Sequence, residues 1–396
     1  MEPEGGQDMK IAFVRKAYTP YGGAEKYLSL LMDRLAEQGH EIHIFANRWE
    51  AGGGGKREKR GGVVLHRVPM IAAPSFLEAL SFAYFSRRLL ESGAFDLIHS
   101  FERTLYQDIY RAGDGCHREW LRLRRKIDPW PKRISQPFNP LHRALLFLER
   151  RVFQAPRLKR VVANSRRGKE EIRRHYGVPE DKIRVIYNGV DLEIFHPRNR
   201  ALFREAERRA IGLPETDSVI LFLGSGFRRK GLEGLIEGFG LAAGDIPGAT
   251  LVVAGKDRFE PYGRAARKHG VEKRVLFLGP TLKARELYAA ADLFALPAIY
   301  EPFSNACLEA MATGIPTLTS CQNGVSELID DGRNGFLVSE ATDAPAIAEK
   351  IRLFFHASDR RILGEEARRT GENYSIASAV DRLLELYAEI RGPANA

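Results

Sequence analysis

Three cysteines in 396 residues leave little scope for sulfur chemistry. Cys116, Cys307 and Cys321 are scattered, odd in number and without metal-cluster spacing, which excludes a disulfide framework and suits a reducing compartment. Each reads as a small packing or loop residue. Long apolar runs are also missing. The stretch 289–299 holds Asp292 and breaks at Pro297, well short of the roughly 20 apolar residues that cross a bilayer. Residues 1–8 are acidic and glycine-rich, with neither the basic nor the apolar region of a secretory signal, so a cytoplasmic location is expected. No Gly-x-Gly-x-x-Gly follows the first strand with an acid closing the second, which argues against a dinucleotide oxidoreductase. No Asp-x-Asp pair is placed to hold a divalent ion, and Asp330-Asp331 falls in a turn, so neither metal nor cofactor is expected. No nucleic-acid module is recognisable, and no nucleic-acid partner is expected.

The residues that are present describe an ordinary globular chain, 44% apolar and 28% charged. At roughly 100 to 200 residues per domain, its length suits two domains. Lys and Arg total 61 against 51 Asp and Glu, a net charge of +10 that calls for an anionic partner: nucleic acid, phospholipid or a phosphorylated substrate. Residues 9–15 form an apolar run that passes through Tyr21-Gly22-Gly23 into a helical pattern on Leu28, Leu31 and Leu35, stopped by Gly39-His40. Residues 41–46, 63–68, 95–100 and 160–164 are further strand candidates. The same grammar restarts after Asn188-Gly189 and Pro197, with strands at 218–224, 250–255, 274–278, 292–296 and 317–319 and a helix at 231–239. Alternation of this kind predicts an α/β protein built from two Rossmann-like domains, residues 1–190 and 191–375. An amphipathic helix within 376–396 is expected to cross back to the first domain. Residues 51–62 are glycine-rich and basic but lack the flanking strand and helix of a phosphate cradle, so they read as a surface loop.

Chemistry concentrates in three places. Glu301 and Glu309 lie eight residues apart after the strand ending at Leu296-Pro297. Pro302 predicts a helix start, capped by Ser304 or Asn305, with Glu301 in the loop at the sheet edge and Glu309 about one turn into the helix. The free amides of Phe303, Ser304, Asn305 and Ala306 would then favour an anion such as a diphosphate. The second place, residues 224–231, also joins a strand to a helix. There Gly224 allows close approach of the backbone, and Arg229 and Lys230 can neutralise a departing diphosphate. The third is Gly22-Gly23 after the first strand, where a glycine turn serves close ligand approach or packing alone.

These segments, with Asn188-Gly189-Val190-Asp191 before Phe195 and Pro197, resemble the retaining glycosyltransferases of family 4 over nearly the whole chain, 9–391. The paired glutamates are the specific part of the likeness. Residues 224–231 and Arg111-Ala112-Gly113-Asp114-Gly115-Cys116 are similar to the lipopolysaccharide core glucosyltransferases, which use UDP-glucose. The resemblance implies a GT-B fold, two Rossmann-like domains facing each other across a deep cleft. It also implies that Arg229 and Lys230 hold the diphosphate, Glu309 the ribose, Glu301 the donor sugar, and that Gly23 approaches the donor phosphate. Relatives place a catalytic histidine near the position of Asp114; here Asp114 stands there, His117 follows and His99 closes an earlier strand, so the general base stays open. A retaining transfer without a carboxylate nucleophile implies a front-face route, in which the leaving phosphate takes the acceptor's proton.

A basic stretch follows. Arg118, Arg122, Arg124, Arg125 and Lys126 interleave with Trp120 and Trp130, a composition that suits an anionic headgroup surface and the phosphates of a lipopolysaccharide-type acceptor. A solvated basic helix with core tryptophans would share the pattern. The leading expectation is therefore a UDP-hexose transferase acting peripherally on the cytoplasmic face of an inner membrane. A nucleotide-sugar epimerase of the same fold and a non-catalytic membrane-binding protein are the alternatives.

Overall fold

The computed structural model describes residues 8–18, 23–49, 57–60 and 63–391. The chain forms two compact units, Met1–Tyr187 together with Ile376–Ala396, and Asn188–Ser375.

The first unit is built on β1 (Lys10–Val14), β2 (Ala17–Tyr18), β3 (Glu41–Ala46), β4 (Arg48–Trp49), β5 (Arg57–Arg60) and β6 (Val63–Arg67). It continues with β7 (Leu97–Ser100), β8 (Ile109–Arg111), β9 (Arg160–Ala163) and β10 (Ile183–Val185). Eight of these make one sheet in the order β10-β9-β8-β7-β1-β3-β6-β5, while β2 and β4 pair separately. Among the described residues only β5 runs antiparallel to its neighbour in the large sheet. Residues 57–60 are therefore an edge strand rather than the surface loop expected of 51–62; the rest of that segment lies outside the described residues. The helices are α1 (Gly23–Glu37), α2 (Ser75–Glu91), α3 (His117–Ile127), α4 (Trp130–Ser135), α5 (Pro140–Phe153) and α6 (Arg166–Tyr176).

The second unit carries β11 (Ser218–Leu223), β12 (Ala249–Ala254), β13 (Val275–Gly279), β14 (Leu293–Leu296), β15 (Thr317–Ser320) and β16 (Gly335–Val338). Its helices are α7 (Arg198–Ala210), α8 (Leu232–Ala242), α9 (Glu260–Lys268), α10 (Ala284–Ala290), α11 (Asn305–Ala312), α12 (Ala344–Phe355) and α13 (Arg360–Glu372). The sheet order β13-β12-β11-β14-β15-β16 is the 3-2-1-4-5-6 order of a dinucleotide-binding sheet. These strands read as near-continuous apolar runs because helices cover both faces of a parallel sheet. A buried charge cluster fixes the central pair. Asp292, just before β14, accepts from Val219 N of β11 at 2.9 Å and is gripped by Arg200, Arg204 and Arg208 of α7 at 3.0, 2.8 and 2.9 Å. Despite burial, which raises it, Arg204 and the Val219 amide hold the Asp292 carboxyl below its ordinary value.

The last helix, α14 (Ile376–Arg391), belongs to the first unit. Its Val380, Leu383 and Leu386 join Leu28, Leu31 and Leu35 of α1 and Ile11 and Phe13 of β1 in one core cluster. At roughly 1.5–3 kcal/mol for each fully buried aliphatic side chain, that stripe is what holds α14 in place.

Candidate active site

In the second sheet the strand order reverses between β11 and β14, the point at which open α/β sheets bind ligands beyond their carboxyl ends. Both of the strongest sequence segments emerge there, residues 224–231 from β11 and 297–304 from β14. The two loops interlock through Gly231. Its φ is 78°, and a Cβ on it would lie 1.8 Å from the Pro297 carbonyl oxygen, so only glycine fits the contact. Arg229 continues the link: its carbonyl accepts from Ile299 N at 2.9 Å and its Nη1 donates to Tyr300 O at 3.0 Å.

Glu301 is thereby brought to the cations. Its Oε2 lies 3.1 Å from Arg229 Nη1 and 3.6 Å from Lys230 Nζ, and its side chain is 11% exposed. That oxygen is buried without a hydrogen bond of good geometry. Buried polar atoms are nearly always satisfied, so an exception marks a group held for a ligand or a strained pairing. Two cations against one carboxylate leave a net positive charge. The stem of Lys230 lies over Gly224, whose φ is 151° and where a Cβ would fall 2.6 Å from Nζ.

The helix after Glu301 begins as predicted. Ser304 is the cap, its Oγ accepting from Cys307 N at 3.3 Å, but its own amide donates to Asn323 Oδ1 at 3.2 Å and so is not one of the free amides expected there. Phe303 is buried, Asn305 accepts from Asn188 Nδ2 at 2.7 Å, and Ala306 supplies its carbonyl to Tyr288 OH at 3.0 Å. The Tyr288 hydroxyl also lies 2.9 Å from Glu309 Oε2, its one proton shared between that carboxylate and the Ala306 carbonyl, and so orients Glu309. Burial, then the Glu309 charge, pushes the Tyr288 phenol well up, so it remains a donor. Burial pushes the Cys307 thiol up to about 12, which removes it as a nucleophile. Glu301, Arg229, Lys230, Gly224, Ser304 and Glu309 are thus gathered at one sheet edge. Asn323 and Tyr288 complete the arrangement; both escaped sequence reasoning, because each acts from a distant segment and neither stands in a motif.

The first unit sorts its candidates differently. Gly23 opens α1, and Gly22 lies outside the described residues. Asp114 is 73% exposed and pairs with Arg103 Nη1 at 3.4 Å. Arg103 also meets Glu149 at 3.3 Å. Glu149 is fully buried, accepts from the His117 and Arg118 amides at 2.8 and 3.2 Å, takes a short bond from Tyr176 OH, and so caps α3 from a neighbouring helix. A glutamate amid Leu145, Leu146, Phe147 and Leu148 was the sequence signal for it. The two histidines weighed as a general base, His117 and His99, are both held neutral by burial. Burial, then Arg103, pushes His117 down to about 3. Burial, then Arg111, holds His99 well below its ordinary value; it is wholly buried, 2.6 Å from Tyr387 OH.

The basic stretch is more ordered than a row of solvated charges. Arg122 pairs with Glu119 at 2.7 Å, Arg124 with Asp128 at 2.8 Å, and Arg125 donates to Gln136 at 2.9 Å. Arg118 and Lys126 are exposed, Trp120 is half-buried, and Trp130 is 73% exposed beside Ile134 and Phe138, also exposed. Core packing for Trp130 is therefore excluded.

A sheet in the dinucleotide-binding strand order, with two cations and a buried carboxylate at its switch point, follows a first Rossmann-like unit, the two-domain architecture of the GT-B class. Residues 203–373 match the model of glycosyl transferases group 1, and residues 21–194 that of Glycosyltransferase Family 4. Between them the models span most of the chain, which belongs to these glycosyltransferases. It is 24% identical over 381 residues to the lipopolysaccharide glucosyltransferase WaaG of Escherichia coli (strain K12), covering 96% of this chain and 98% of that protein. The crystal structure of WaaG, a glycosyltransferase involved in lipopolysaccharide biosynthesis, superposes with a TM-score of 0.79 at 23% identity, over 95% of this chain and 99% of that one. Anabaena HepE, solved in complex with UDP and glucose, superposes at 0.67 and 20% identity, over 96% of this chain and 99% of that one.

Proposed function

We propose that the chain is a retaining hexosyltransferase that moves a hexose, glucose first among the candidates, from a UDP-sugar to the inner core of lipopolysaccharide or a similar membrane-linked glycan. One observation carries the donor half of the reading: Arg229 and Lys230 converge on the buried Glu301 carboxylate at the switch point of the second sheet. Charge on a departing UDP would be met by these two cations and by the amides at the start of α11, a preorganised arrangement of the kind that lowers transition-state energy most. Glu301 would read sugar hydroxyls and Glu309, oriented by Tyr288, the ribose. With no carboxylate assigned as nucleophile, the leaving phosphate receives the acceptor's proton on the same face of the sugar. The two side-chain cations serve in place of a divalent ion, so turnover should survive chelation with EDTA. Asp114, exposed and paired with Arg103, is the acceptor-side candidate.

Two comparisons support the substrate assignment without fixing it: the likeness to WaaG along nearly the full length of both chains, and the UDP and glucose bound to HepE. Peripheral docking at the cytoplasmic face of an anionic inner membrane rests on Trp130, Ile134 and Phe138 exposed beside Arg118 and Lys126. Among the described residues no helix is long and apolar enough to cross a membrane. The test of the reaction is incubation with labelled nucleotide sugars and a truncated core acceptor. Acceptor-dependent product with the donor's anomeric configuration is expected. Nucleotide released without acceptor, with a new sugar epimer, would make the chain an epimerase; no product from any donor would leave a binding protein. Replacing Arg122, Arg124, Arg125 and Lys126 with Gln should weaken sedimentation with anionic vesicles, and unchanged binding at low salt would refute docking through this segment.

A further inference from the structure

Between α3, the short turn Gln136–Phe138 and α5, the first unit contains a cavity of about 1020 Å³. Five guanidinium groups line it, from Arg118, Arg122, Arg125, Arg143 and Arg150, and no carboxylate does. Among the described residues only Arg122 is paired with an acid, Glu119. Arg125 and Arg150 donate to the neutral amides of Gln136 and Gln154 at 2.9 and 3.1 Å. Among the described residues the side chains of Arg118 and Arg143 have no hydrogen-bond or ion-pair partner. The nearby buried acid, Glu149, faces Arg103 and the α3 amides. Four guanidinium charges thus share one concavity uncompensated, an arrangement that costs self-repulsion unless an anion enters it.

The chemistry of the wall narrows the anion. Every cation is arginine, whose planar fork pairs two oxygens at once where lysine offers a point charge. A flat basic patch would serve a singly charged phosphodiester headgroup equally well. A concave site with several converging forks favours a compact group with more than one charge and three terminal oxygens. We propose that this groove is a phosphomonoester-binding site that takes phosphate groups carried by the glycan acceptor; the identity of the carrier rests on the transferase reading, the phosphate chemistry does not.

The experiment uses the full chain saturated with UDP, so that Arg229 and Lys230 are occupied. It is titrated with inorganic pyrophosphate, and sedimented with phosphatidylcholine vesicles in which phosphatidic acid, a monoester, or phosphatidylglycerol, a diester, supplies the same total charge. Pyrophosphate should bind in the presence of UDP, and the monoester vesicles should bind about tenfold more tightly, the effect of one further charge-assisted hydrogen bond. Arg118→Ala with Arg143→Ala should abolish both the pyrophosphate binding and the preference. Both side chains are exposed, so the fold should be retained. Arg118→Lys with Arg143→Lys should keep binding to phosphatidylglycerol and lose the preference. Equal binding to the two lipids, no pyrophosphate binding beside UDP, or a preference untouched by the alanine pair would each overturn the assignment. A monoester preference that persists while no donor supports acceptor-dependent transfer would count against the transferase and not against the site.

Discussion

Replacing Lys230 with Met perturbs the donor site at its more buried cation while keeping the aliphatic stem that lies over Gly224. The Lys230 side chain is 14% exposed, against 34% for Arg229, and its Nζ stands 3.6 Å from Glu301 Oε2. Two unit charges about 4 Å apart interact by about 4 kcal/mol at an effective dielectric of about 20. A leaving diphosphate gains only part of a charge in the transition state, so about 2–3 kcal/mol of that is lost with the ammonium. At about 1.4 kcal/mol for each factor of ten, kcat should fall by about two orders of magnitude. Removal of a single oxyanion-hole donor has a similar effect. Arg229 remains, so UDP affinity should fall far less than kcat. Initial rates at saturating donor, with UDP affinity measured by calorimetry on the same preparation, separate the two effects. A kcat indistinguishable from that of the unaltered protein would refute a catalytic role for the cation pair.

Glu301→Gln should lose turnover about a hundredfold with the fold retained; wild-type rates in the variant would take Glu301 out of the mechanism. Gly231→Ala combines a left-handed φ with a clash against Pro297, and should destabilise the protein by about 2–5 kcal/mol in urea titrations. A smaller loss would mean that the two loops can part without consequence. Glu119 is raised by burial but lowered more by its bonds from Arg122 and His175, to about 2 from an ordinary 4.5. A depressed carboxyl contributes stability that is complete above the higher value and disappears as pH falls toward the lower. The urea midpoint should therefore drop between about pH 4.5 and pH 2, and Glu119→Gln should flatten that drop.

Much of this architecture was legible in the chain. The β-strand runs at 9–15 and 218–224 are apolar over more residues than one half-buried face would need, and Gly224, Gly231 and Pro302 punctuate them at the turns. Short strands escaped notice. Ile109–Arg111 and Ile183–Val185 are three residues each, and Gly335–Val338 begins with a glycine, so their membership depends on parallel neighbours that only the tertiary fold supplies. The same holds at the site. Glu301 and Lys230 could be named from their motifs, but their contact depends on Gly231 meeting Pro297, a close approach that no local pattern encodes. In the first unit, the basic stretch reads from sequence as a surface for anionic headgroups and acceptor phosphates, with a solvated basic helix as the alternative. The pairing of Arg122 and Arg124 with Glu119 and Asp128 uses i,i+3 and i,i+4 geometry that becomes visible once α3 is known to be a helix.

On the proposed reading, the second unit holds a sugar nucleotide through Arg229 and Lys230. A crystal of the full chain soaked with UDP tests this most directly. Density for the diphosphate against Arg229 and Lys230, with the ribose hydroxyls on Glu309, is the result expected. UDP bound elsewhere, or a switch point still unoccupied at saturating nucleotide, would contradict it.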